Sequence, residues 1–181
     1  MVAATENEGS MFKEYPIRTI FRDKAIRVRK DSPREDGQET MLANEPWYAY
    51  NANYGTDKEK KFVELFSTRF ESLNQKFKNI YLIRNEREVK IFDKLGRAFE
   101  PDFLLFCKQR NEEKMTFQVF IEPKGSHLIG FDKWKEDFLK EIGDSGKTIK
   151  IHTDTYLITA VPFYNYSSEN DFSKKLDSVL S

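Results

Sequence analysis

The chain has 181 residues, 39% of them hydrophobic and 33% charged, enough to bury one sizeable core without disulfides or a structural metal. Its 30 Lys+Arg balance its 30 Asp+Glu, which argues against an autonomous, tight nucleic-acid binder but permits a domain that a partner delivers there. The single cysteine, Cys107, excludes a disulfide framework, and no membrane-length apolar run or basic-then-apolar leader is present, so a cytoplasmic location is the default expectation.

In chain order, residues 1–10 read as a disordered lead. Residues 11–50 read as an N-terminal unit: short strands at 16–21 and 25–29, a polar loop over 30–45, and the aromatic patch Trp47, Tyr48 and Tyr50. Residues 51–181 form the expected main domain. It opens on a helix whose start, Thr56-Asp57-Lys58-Glu59, is a capping box: the Thr56 hydroxyl accepts from the third amide and Glu59 reaches back to the cap. Phe62, Leu65, Phe66, Phe70, Leu73 and Phe77 then recur at three- and four-residue steps as one apolar stripe, which reads as core.

Strands are expected at 79–83 and 89–92, joined as a hairpin around Arg84–Glu88. Gly96 to Asp102 leads into a strand over Phe103–Cys107; a polar turn at Lys108–Glu113 and a strand over Met115–Glu122 follow. Pro123 lacks the amide hydrogen of a ladder residue, so the sheet should fray there. Phe131, Trp134, Phe138, Leu139 and Ile142 mark a helix from about 131 to 142, stopped by Gly143. A strand at 155–163 and a helix at 169–180 complete the chain. The order of elements implies an α/β (α+β) domain, a mixed central sheet flanked by helices.

The chemistry concentrates at one hairpin. Residues two apart on a strand share a face, so Glu122 and Lys124 project together. Antiparallel pairing across the 108–113 turn brings Asp102, at the start of one strand, beside Glu122 at the end of the next. Two carboxylates forced together repel unless a cation bridges them, and hard oxygen ligands favour Mg2+, with Mn2+ as a substitute. A lysine beside such a pair suits phosphodiester hydrolysis, which needs an oriented water and relief of developing negative charge.

Glu-Pro-Asp-Phe-Leu-Leu-Phe (100–106) and Phe-Gln-Val-Phe-Ile-Glu-Pro-Lys-Gly (117–125) resemble the PD-(D/E)XK nuclease signature. More narrowly, the chain resembles the C-terminal endonuclease domain of the Res subunit of type III restriction enzymes. The flanks that carry this are Tyr54 to Phe62, Trp134-Lys-Glu-Asp-Phe-Leu and Val161-Pro-Phe-Tyr-Asn165. The resemblance spans residues 47–165 and implies a restriction-endonuclease-like core that cuts DNA. It further implies Asp102, Glu122 and Lys124 as catalytic residues, and Asp102, Glu122, the Pro123 carbonyl and Glu59 as metal ligands. Its type III members work with a helicase-like ATPase region and with a methyltransferase that supplies specificity; this chain has no phosphate-loop motif.

Several residues keep a plainer reading beside the functional one. Glu59 is explained equally by its capping box, and Glu64, one turn further on, is an alternative acid. His127 could touch phosphate or stand by; Lys133 and Lys135 could meet DNA backbone or be solvated helix charge. Gln118 borders the expected site, Tyr48 and Tyr50 could stack on DNA or pack beneath the helix, and Cys107 should be a buried, inert thiol. Two other functions fit the same residues: a related resolvase or repair nuclease, and a non-catalytic DNA- or subunit-binding module that keeps the fold.

Overall fold

A computed structural model describes residues 40–42, 44–50, 52, 53, 55–111, 115–125, 130–151 and 154–181. The expected lead at 1–10, the strands at 16–21 and 25–29, and His127 lie outside these residues. The elements are β1 (Thr40–Met41), β2 (Ala52–Asn53), α1 (Asp57–Lys76), β3 (Phe77–Arg84), β4 (Ile91–Phe92) and β5 (Ala98–Phe99). They continue with β6 (Phe103–Gln109), β7 (Met115–Ile121), α2 (Lys133–Ser145), β8 (Lys147–Ile151), β9 (Asp154–Ala160) and α3 (Glu169–Val179), the last preceded by a 3-10 turn at Tyr166–Ser168.

The centre is a five-stranded sheet in the order β3-β6-β7-β9-β8. It is mixed: β7 and β9 run parallel, and the other pairs are antiparallel. The β6–β7 hairpin aligns Phe103 with Ile121 and Lys108 with Thr116, so its register places Asp102 opposite Glu122 one step beyond the last pair. Leu104, Leu105, Val119 and Ile121 are almost wholly buried, as a strand in mid-sheet requires. Each side chain of this size contributes roughly 1.5–3 kcal/mol by leaving water.

Phe62, Phe66 and Leu73 of the α1 stripe are core and Leu65 and Phe70 pack against it, but Phe77, expected on the helix, is the first residue of β3. The Phe62 ring lies 5.1 Å from Phe103, 5.5 Å from Tyr164 and 5.9 Å from Phe172, tying α1 to β6, the post-β9 segment and α3. Trp47, Tyr48 and Tyr50 are buried in that core, the packed alternative of the two read from the sequence. Trp47 packs 5.0 Å from Phe66, and Tyr48 makes a parallel bridge to Leu82. No helix among the described residues is long and apolar enough to cross a membrane.

Several sequence expectations change. The strands at 79–83 and 89–92 are not partners: β3 pairs with β6, and β4 pairs with β5, a strand not foreseen. Asp93 builds the β4–β5 turn by accepting from the Leu95 and Arg97 amides at 3.0 and 2.8 Å, which directs the chain away from β3. Gly143 does not stop its helix. α2 runs to Ser145, and Gly146, at φ 42°, ends it. β8 is also unforeseen, because Lys147-Thr-Ile-Lys-Ile is a half-polar edge strand with little apolar signal. Finally, Thr40–Met41 pairs with Ala52–Asn53 inside what reads as loop.

Candidate active site

The site forms where β6 begins and β7 ends. Asp102 stands one residue before β6, and its amide donates to Glu122 Oε2 at 2.9 Å. The peptides around Asp102 are held from the loop after β3: the Asn85 amide donates to the Asp102 carbonyl at 2.7 Å, and Asn85 Nδ2 donates to the Pro101 carbonyl at 2.9 Å. Glu122 is buried, and its Oε1 accepts from Lys124 Nζ at 3.1 Å. The three residues expected to converge, Asp102, Glu122 and Lys124, are therefore brought together.

The regular ladder ends just before Pro123, as expected: β7 stops at Ile121, and beyond Phe120↔Ala160 the next bridge is the isolated Pro123↔Tyr164. Between those bridges three residues, 161–163, face two, Ile121 and Glu122. This one-residue offset is a bulge, the device that re-aims a strand beside a site. Tyr164 donates to the Glu122 carbonyl at 3.0 Å and accepts from the Lys124 amide at 2.8 Å, leaving proline with no ladder donor to supply. Among the described residues no peptide is cis, and a trans peptide points its carbonyl opposite its N–H. With the Lys124 N–H bound to Tyr164, the Pro123 carbonyl points away from Tyr164.

The electrostatics are those of a crowded acid pair. Burial, then the charge of Glu122, then that of Glu59, push Asp102 up to about 8, against Lys124 and Arg84. Glu122 is also raised, by burial, although Lys124 and the Asp102 amide pull it down. Burial would lower Lys124, yet bonds to Asp132 and Glu122 hold it above the ordinary lysine value. The pair thus retains a proton at neutral pH, and a cation could take that proton's place. A buried pair of hard oxygen donors is the chemistry that suits a magnesium-type ion.

Sequence reasoning missed Asp132. It is the N-cap residue of α2, yet makes no side-chain cap bond. Its carboxylate instead bridges Lys124 at 2.7 Å and Lys135 at 2.9 Å, and these hydrogen bonds keep it below the usual carboxylate range despite some burial. A polar residue just before the Trp134 periodicity is a cap signal, but its reach to Lys124 depends on where α2 docks. Arg84 was also missed: its guanidinium pairs with Glu59 at 3.1 Å and Glu86 at 3.4 Å.

Glu59 is buried beside this group, close enough to raise Asp102, but its carboxylate pairs with Arg84. Thr56 accepts from the Glu59 amide at 3.5 Å, a long version of the expected cap. Gly55 makes room for the acid: a Cβ there would fall 2.0 Å from Glu59 Oε2. Among the described residues no three His, Cys, Asp or Glu form a group able to hold a metal ion.

The remaining candidates fall outside the cluster. Glu64 is exposed, Lys133 pairs with Asp137, Gln118 is buried in β7, and burial raises the Cys107 thiol as for an inert core cysteine.

Comparison with known proteins gives a family but no solved structure: none matches the chain. A relative from Haemophilus influenzae, described only as an uncharacterized protein, is 29% identical over 169 residues, covering 87% of this chain and 36% of the relative. The chain thus spans well under half of that longer protein. The profile of one family, described as a C-terminal domain, matches residues 12–178. The chain belongs to that family, HI_1054_C.

Proposed function

We propose that this chain is a Mg2+-dependent endonuclease domain with a restriction-endonuclease-like core, hydrolysing DNA phosphodiester bonds in a type III-like restriction system. One observation supports the reading: where β6 begins and β7 ends, Glu122 accepts from both the Asp102 backbone amide and the Lys124 ammonium, and the Asp102 carboxyl lies close enough to feel both charges. The carboxylates and the Pro123 carbonyl would hold the ion, which supplies Lewis acidity toward water and a phosphate oxygen. Lys124 orients the attacking water and offsets charge developing on the phosphate. The new bond joins water oxygen to phosphorus, the bond to the 3′ oxygen breaks, and the leaving oxygen takes up a proton. The products are a 5′-phosphate and a 3′-hydroxyl.

The family description as a C-terminal domain and the longer relative fit a domain that is part of a longer protein; on this reading its partners are an ATPase region and a methyltransferase. A binding-only module is the second reading. The observation that favours it is the double clasp of Lys124 by Glu122 and Asp132, which occupies the ammonium. Incubating plasmid and linear duplex DNA with the chain and Mg2+ separates the two. We expect cutting by the wild type and at least about hundredfold slower cutting by Asp102→Ala, Glu122→Ala and Lys124→Ala. Equal cutting by all four proteins would refute the nuclease, and cleavage confined to branched DNA would make it a resolvase.

A further inference from the structure

The site rests on two asparagines outside the acid–lysine cluster, each of which holds it through the backbone. Asn85 uses its whole amide: Nδ2 donates to the Pro101 and Val89 carbonyls at 2.9 and 2.8 Å, and Oδ1 accepts from the Glu88 and Val89 amides at 3.0 Å each. Its own N–H donates to the Asp102 carbonyl. One residue therefore grips both peptide planes that flank the Asp102 α-carbon. With those planes fixed, the direction in which the Asp102 side chain leaves the backbone is fixed.

Asn165 stands in the same relation to Lys124. Its Nδ2 donates to the Lys124 carbonyl at 3.1 Å, while the Lys124 amide is held by the carbonyl of the preceding residue, Tyr164. Again both planes around one functional α-carbon are bound by one short stretch of chain. Asn165 is itself buried and anchored, since its Oδ1 accepts from the Ser167 amide at 2.9 Å. The two segments reach the site separately, one following β3 and the other following β9.

We propose that Asn85 and Asn165 are positioning residues for the hydrolytic site, Asn85 setting Asp102 and Asn165 setting Lys124. The proposal rests on the nuclease reading. Groups that orient metal ligands and catalytic side chains typically change affinity or rate by about 10–100-fold when lost, because productive geometry tolerates only roughly 0.5 Å of error. The expected signatures differ: Asn85 acts on a metal ligand, and Asn165 acts on the lysine.

Two substitutions separate orientation from simple folding. Asn85→Asp keeps both acceptor bonds and loses both donor bonds. Its added negative charge would by itself strengthen cation binding, so weaker binding can come only from the lost orientation. Asn165→Ser keeps an acceptor for the Ser167 amide, serine being a good capping residue, but is too short to reach the Lys124 carbonyl. Mg2+ affinity is measured calorimetrically and cleavage of duplex DNA by steady-state kinetics, with circular dichroism verifying the fold. For Asn85→Asp we expect about tenfold weaker Mg2+ binding; for Asn165→Ser, about tenfold lower kcat with KM and Mg2+ affinity within about twofold of wild type. If one variant does not fold, the other decides. Folded variants with wild-type values overturn the proposal while leaving the nuclease standing. A wild type that neither binds Mg2+ nor cuts overturns both.

Discussion

Asp102 gives the clearest consequence at the scale of a single residue. Its folded-state value near 8 stands well above the roughly 3.9 of an unfolded aspartate. Between those values the folded chain holds a proton that the unfolded chain has lost, so stability must fall as pH rises through that window. An asparagine in its place would carry no charge to bury. In EDTA, Asp102→Asn should therefore gain melting temperature relative to wild type between about pH 5 and pH 9, and adding Mg2+ at the upper end should favour the wild type. Parallel melting curves for the two proteins across that range would show that Asp102 is not the strained acid. The Glu59–Arg84 pair follows the opposite logic: both charges are nearly buried, and each helps to offset the burial cost of the other.

At the scale of elements, α2 packs tightly on β9. Gly143 faces the Ala160 carbonyl so tightly that a Cβ would lie 2.5 Å from the oxygen. Gly143→Ala should cost about 1–3 kcal/mol by forcing the helix off the strand, although alanine is the better helix former, and chemical denaturation would measure it. Helix propensity winning, with stability unchanged or improved, would mean that α2 does not sit this close. Gly143 also shows why the sequence misleads at this point. A glycine after an apolar helical run spells a stop, but here it serves contact with a neighbouring strand that no local pattern reveals.

The same division runs through the site. Asp102, Glu122 and Lys124 are legible in the sequence because strand alternation and a short turn fix their register without outside help. The strong stripe of α1 is legible for a similar reason, its period being internal to the helix. Asp132, Arg84 and Asn85 are not, since each acts across a junction between elements distant in sequence. The 79–92 hairpin misleads because apolar runs reveal strands but not their partners. Val161 to Asn165 is visible as a resemblance, and its first three residues read as strand although β9 ends at Ala160; the bulge and the Tyr164 bonds give the segment a physical purpose.

For the whole molecule, a net charge of zero sets the terms of any encounter with DNA. Without a general basic excess, the isolated chain should bind duplex DNA only weakly, roughly 1 μM or worse at physiological salt. Fluorescence anisotropy would test this, with Ca2+ as a non-cleaving stand-in for Mg2+; nanomolar binding in EDTA would imply a recognition surface outside the site. The cluster itself refines the expectation. Glu59, Glu86, Asp102, Glu122 and Asp132 stand against Arg84, Lys124 and Lys135, five acids to three bases. A divalent ion held there would offset that excess. On the nuclease reading, a loaded site would therefore repel a phosphate backbone less than an empty one.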